Sequence, residues 1–261
     1  MNKTIFSLLF LIFSLVSTAK SDPIWGKTGH RVVAAIAEQY LDSTTKQEIQ
    51  KLLNNQSLAL VSTFADEIKF DKRYDKFKPW HYLNMPLDAN YQASSKNPKG
   101  DLVVGINYCK QKISNANTSH DDKSFYLKLL IHLIGDMHQP FHLGLKSDRG
   151  GNDIEVNWRG KKTNMHSVWD SKMIDDFGMS YSELERNRSL LEPNEIAQIQ
   201  RGDILDWVAQ THQITKLVYH DIENDDNLGS AYSFKYLDVA RKQMQIAGIR
   251  LAKVLNELFK G

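Results

Sequence analysis

The run His132-Leu-Ile-Gly-Asp136-Met-His-Gln-Pro-Phe-His142, followed by His166-Ser-Val-Trp-Asp170, constrains this chain more than any other stretch. Residues four apart share one face of a helix about one turn from each other, so His132 with Asp136, and His166 with Asp170, can each converge on one ion. Pro140 ends the helix that carries the first pair and lets the chain turn His142 back toward it. Imidazole with carboxylate is a ligand set that suits zinc, and a site short of four protein ligands leaves room for a reactive water.

A single pair inside the apolar segment 127–137 reads most simply as a core histidine satisfied by a carboxylate. Two pairs with His142 between them make coincidence a poor account, and the balance moves to metal. His30, in Trp25-Gly-Lys-Thr-Gly-His30, stands where a helix should begin and by itself reads as a cap or surface residue. Spacing alone singles out neither Asp66 nor His81. His138 lies about 200° around the helix from Asp136 and should point away from the ion. His120 sits in a polar, acidic loop, and His212 and His220 lack a carboxylate at ligand spacing. These four are left out of the metal set.

Apolar residues recur at three- and four-residue spacing over 31–41, 43–53, 124–137, 203–220 and 234–259, which predicts a mainly α-helical bundle. Strand-like alternation is confined to short pieces. The clearest is 153–158, where Ile154, Val156 and Trp158 share one side before a turn at Gly160, so at most a small β-hairpin is expected. Segments 88–100 and 223–230 have the composition of surface loops.

Lys3, an apolar run over 5–16 and the small residues Ser17-Thr-Ala19 read as a signal peptide over 1–21, with cleavage between 19 and 24. The expectation is export, to the outside or to a periplasm, of one domain over 22–261. The run is short of the roughly 20 residues that span a bilayer, and no later stretch is continuously apolar, so membrane insertion is not expected. Cys109 is the lone cysteine, which excludes an internal disulfide framework. The formal charge of +2 falls to near zero once the leader is removed. A nucleic-acid binder with so little basic surplus needs a local source of positive charge, and a metal cluster is one.

Taken together, Trp25-Gly-x-x-Gly-His30, Ala65-Asp66-x-x-Lys69, Trp80-His81-Tyr82, His132-x-x-Gly-Asp136-x-His-Gln-Pro-x-His142, Gly150-Gly-Asn152 and His166-x-x-Trp-Asp170 resemble the zinc-dependent single-strand nucleases. This family also includes 3′-nucleotidases and shares its fold with bacterial phospholipase C. The resemblance implies a trinuclear zinc cleft in a mostly helical domain. By position, Asp66, His81, His132 and Asp136 would hold one Zn²⁺, and His142, His166 and Asp170 a second. Trp25, through its amine and carbonyl, would hold the third with His30 and Asp136.

The resemblance further implies that Lys69 and Asn152 contact phosphate, that Tyr82 stacks on a nucleobase and that Asn84 lies at the base edge. Asp66 would orient or deprotonate the attacking water. Three dications against three aspartates leave a local excess of about +3. The implied reaction is attack of a zinc-bound hydroxide on single-stranded DNA or RNA, giving 5′-phosphate products, with free 3′-nucleotides as further substrates and no obligate protein partner.

Some positions depart from the family pattern. Asp22-Pro-Ile24 precede Trp25, so the third site requires trimming to Trp25 or rests on His30 and Asp136 alone. Asn84 stands where the fungal members carry an aspartate. Two other functions remain open: a phospholipase C, which uses much the same ligands, and a non-catalytic zinc-binding secreted protein.

Overall fold

The computed structural model describes residues 26–222 and 227–260. Six longer helices carry the described chain: α1 (Lys27–Gln39), α2 (Ser43–Leu52), α3 (Leu102–Ser114), α4 (His120–Asp136), α5 (Ile204–Ile222) and α6 (Ser230–Leu258). Short helical turns connect them. The periodic segments all lie on these helices, with starts up to four residues earlier than the apolar pattern alone indicates.

The early start of α4 has a polar cause. Ser119 accepts from the Asp122 amide at 3.1 Å, and Asp121 and Asp122 occupy the first turn of α4, where the exposed amides favour negative charge. His120 is therefore the first helical residue rather than part of a loop. Asp42 and Asp101 cap α2 and α3 in the same way, at 2.7 and 3.1 Å.

From Leu129 to Asp136, α4 is buried without interruption, packed among α1, α3 and α6. Leu130 and Ile134 are fully buried, each contributing about 1.5–3 kcal/mol by leaving water. The same burial places His132 and Asp136 in a dry interior, where unpaired charge is costly.

A second apolar cluster, including Phe141, Trp158, Met165, Trp169, Tyr219 and Tyr236, joins α5 and α6 to a small sheet. Strands β1 (Glu155–Trp158) and β2 (Lys161–Asn164) form the expected hairpin, with Trp158 opposite Lys161. Arg159 and Gly160, at φ 49° and 79°, form its two-residue turn. The expectation of a hairpin at most needs correction. Strand β3 (Asn227–Leu228) pairs in parallel with β1, giving the order β2-β1-β3. Leu228 is buried, which draws that stretch out of the loop its composition suggested. Segment 88–100 has turns and bends only, as expected. Among the described residues no helix is long and apolar enough to cross a membrane. The leader and its cleavage region lie outside the described residues.

Candidate metal centre

The cluster draws on elements far apart in sequence. His30 comes from the start of α1, Asp66 from the short helix Phe64–Glu67, and His81 from the end of the 3-10 stretch Lys72–His81. His132 and Asp136 share one face of α4, which stops at Asp136. The chain then re-enters at the 3-10 turn Pro140–Leu143, and this brings His142 back. Asn164 caps the turn Met165–Ser167 through the Ser167 amide at 2.8 Å, placing His166. Asp170 follows in a π-helical turn, Val168–Lys172. The i, i+4 pair therefore converges through a wider turn than the α-helix the spacing suggested, a form often found at functional sites.

The ligand-type atoms meet closely. His132 Nε2 lies 3.1 Å from Asp66 Oδ1 and 3.2 Å from Asp136 Oδ2. His81 Nδ1 is 2.9 Å from Asp136 Oδ2, and His30 Nε2 is 3.4 Å from Asp136 Oδ1. On the other side His142 Nδ1 stands 3.2 Å from Asp136 Oδ1, and His142 Nε2 3.4 Å from Asp170 Oδ1. His166 Nε2 is 3.0 Å from Asp170 Oδ2. Among the described residues, three triads have all their ligand-type atoms within 4.8 Å of one another: His30, Asp66 and His132; His81, His132 and Asp136; and His142, His166 and Asp170. His30 thus joins Asp66 and His132 as well as Asp136, and its ring stacks on that of His132 at 3.7 Å. Trp25 lies outside the described residues.

Charge is shared unevenly in this dry cluster. Burial opposes a proton on His132, yet the carboxylates of Asp136 and Asp66 prevail and raise it to about 10. His142 is likewise raised to about 10, against burial, by Asp136 and Asp170. Burial, and then the Lys69 ammonium, push His81 down to about 3. Against the upward pull of burial, His166 and His142 hold Asp170 at about 2. Asp136 and Asp66 resist the same pull, with His132 foremost in holding each well below the usual carboxylate range.

These residues fit a metal site. His132 Nδ1 donates to Ser62 O at 2.7 Å and His166 Nδ1 to Gly150 O at 2.6 Å, which leaves each Nε2 facing the carboxylates as the atom available to an ion. Asp136 Oδ1 and Asp170 Oδ2 are buried with no hydrogen-bond partner and face the imidazoles of His142 and His166. Carboxylate oxygens buried in that state fit a cation. Tetrahedral ligands about 2.0–2.2 Å from an ion stand roughly 3.3–3.6 Å apart, close to the separations here.

Beside the cluster, Lys69 Nζ lies 3.1 Å from Asp66 Oδ1. Tyr82, 39% exposed, follows His81 and opens a groove of about 420 Å³. Asn84, Ser95, Lys96, Asn97, Lys146 and Ser147 line the same groove. Asn152 is half-buried and donates to Arg149 O at 2.9 Å.

The sequence profile of the S1/P1 Nuclease family matches residues 25–260. The chain belongs to that family. It is 32% identical to Endonuclease 4 of Arabidopsis thaliana, over 90% of this chain and 89% of the relative. To Nuclease P1 of Penicillium citrinum it is 30% identical, over 90% and 97% respectively. Family membership and the His/Asp clusters together make it a zinc-dependent nuclease.

Among residues that spacing did not point to, Gln139 stands out. Its amide donates to Asp170 Oδ1 and accepts from Phe141 N at 2.5 Å, so the flipped orientation is excluded. The residue sits in the quoted His-Gln-Pro run, but nothing in its spacing marks it. The exclusion of His138 agrees with its position: it is buried beyond the end of α4, bonded to Ile134 O at 2.8 Å and to Arg250 at 3.0 Å. His212 and His220 lie on α5.

Proposed function

We propose that residues 22–261 form one exported nuclease domain that holds three Zn²⁺ and cleaves single-stranded DNA and RNA, and 3′-nucleotides, to leave 5′-phosphate or free phosphate. The observation that carries this is Asp136, whose two oxygens face separate histidine groups beside a groove that begins at Tyr82. One ion would rest on Asp66, His81, His132 and Asp136, a second on His142, His166 and Asp170. The third would rest on His30 and Asp136, with Trp25 where processing exposes it.

Bound zinc supplies Lewis acidity, lowering the pKa of water and neutralising charge on phosphorus-bound oxygens. The chain's own groups do the rest. Asp66, whose Oδ1 is buried beside His132 and Lys69, would orient the attacking water or take its proton. Lys69, beside it, sets a fixed ammonium against the phosphate as negative charge builds. Asn152 contacts a second phosphate oxygen. A base released from the strand stacks on the exposed Tyr82 ring, with Asn84 at its edge. Stacking tolerates any base but needs it out of a duplex, which favours single strands. Asn84 offers a donor and an acceptor where an aspartate would only accept.

The test is a zinc count on the purified mature protein, paired with hydrolysis of single-stranded DNA, RNA, a 3′-nucleotide and short-chain phosphatidylcholine before and after chelation. Near three zincs with chelator-sensitive cleavage of nucleic acid is expected. Cleavage of the lipid alone would make it a phospholipase, and bound zinc without turnover a binding protein.

A further inference from the structure

Tyr219, on α5, is buried, and its hydroxyl makes two hydrogen bonds to one loop. It donates to Asp148 Oδ1 at 2.9 Å and accepts from the Leu145 amide at 3.1 Å. The same Asp148 oxygen accepts from the Gly151 amide at 2.8 Å. Between them Arg149, Gly150 and Gly151 have φ of 54°, 63° and 77°, three consecutive left-handed residues. The two glycines adopt this conformation freely, whereas Arg149 holds it only where its surroundings favour it. The surroundings here are Tyr219 and Asp148.

What this loop delivers is the metal site. Gly150 O accepts from His166 Nδ1 at 2.6 Å, and Gly151 O from the His166 amide at 3.3 Å. Asn152 follows directly. The other edge of the same assembly is the turn bearing His142. Thr215, one helical turn before Tyr219, donates to Pro140 O at 2.8 Å, and the Tyr219 ring lies 5.3 Å from that of Phe141. A Cβ on Gly150 would stand 2.5 Å from Phe141 O, so loop and turn are already in contact.

We propose that Tyr219, acting through Asp148, is a positioning residue for the half-site of His142, His166 and Asp170. It fixes the loop that presents His166 Nε2 inward. This rests on the zinc reading above. A purely structural role would depend on the ring in its apolar cluster and would be indifferent to the hydroxyl.

The experiment compares full-length wild type with Tyr219→Phe, Asp148→Ala and Asp148→Asn, following zinc transfer to a chromophoric chelator alongside the melting temperature. In Tyr219→Phe and Asp148→Ala, one zinc equivalent should transfer about 10- to 100-fold more readily, the scale of losing an outer-shell partner. The other equivalents should be unchanged. Asp148→Asn keeps the Oδ1 that takes both hydrogen bonds, so its zinc retention should match wild type. Unchanged zinc retention in Tyr219→Phe, or an Asn variant as impaired as Ala, overturns the proposal. Wild type that carries no zinc overturns the metal reading itself, and is distinguishable because no variant is then needed to see it.

Discussion

Asp136 Oδ2 lies 2.9 Å from Nδ1 of His81, a residue 55 positions earlier in the chain, while its second oxygen faces His142 at 3.2 Å. One buried carboxylate therefore connects two sets of imidazoles. Asp136→Ala should lower turnover at least ~10²–10³-fold, the scale of losing a preorganised charge-stabilising group, and should release more than one zinc. Elemental analysis with a single-strand cleavage assay checks both, and full activity would sink the trinuclear arrangement.

The metal-free protein should be most stable near pH 6–7. His132 and His142, raised to about 10, contribute stability that is complete below their unfolded value of ~6.5 and is lost as pH climbs through about 10. His81, pushed down to about 3, contributes above ~6.5 and loses its share as pH falls toward 3. Asp170, at about 2, adds a further loss below ~3.8. Zinc must displace the protons on His132 and His142, so its binding at pH 7–8 should release protons, visible as buffer-dependent heats in calorimetry. Heats independent of buffer would contradict the assignment.

Lys69→Gln should keep zinc and lose rate. Its ammonium stands 3.1 Å from Asp66 without being a ligand type, so kcat should fall ~10²–10³-fold at unchanged metal content. Loss of zinc in this variant would mean that Lys69 instead secures Asp66.

Tyr82→Ala should raise KM for single-stranded DNA by roughly 5- to 150-fold, equivalent to ~1–3 kcal/mol of base stacking. Tyr82→Phe, which keeps the ring, should remain near wild type. Equal KM values for all three proteins would remove Tyr82 from the substrate groove.

Gly135→Ala tests the contact between α1 and α4. A Cβ there would stand 2.8 Å from His30 Nδ1, and that ring is stacked on His132. Helix propensity gains ~1 kcal/mol while crowding costs ~1–3 kcal/mol, a net loss of about 0–2 kcal/mol, so the melting temperature should fall by no more than about 8 °C. Zinc content should nevertheless drop by about one equivalent. Unaltered zinc would show that His30 is not held to a ligand position.

The sequence by itself determined five of the six longer helices and the local His/Asp pairs, because both depend on spacing a helix makes periodic; it did not mark α3. His132 with Asp136 was readable as one face of α4, and Pro140 as the break that returns His142. Ser119 and the acidic first turn could also be read as a helix start, although apolar periodicity alone missed it. Spacing did not mark Asp66, His81 and His30, which the sequence offered only through the family resemblance; the tertiary structure is what brings their atoms to the cluster, since their neighbours in sequence carry no ligand period and their partners lie on other elements. It also gave reasons to residues with no chemistry of their own: Gly135 is small because a histidine ring from α1 packs on it, and Gln139 is an amide because Asp170 needs a donor. The strand at Asn227–Leu228 belongs with these, as two residues show no alternation and are fixed by pairing with β1 and by burial of Leu228. A helix period is a property of one segment, whereas a buried carboxylate's partners are chosen by how separate segments pack.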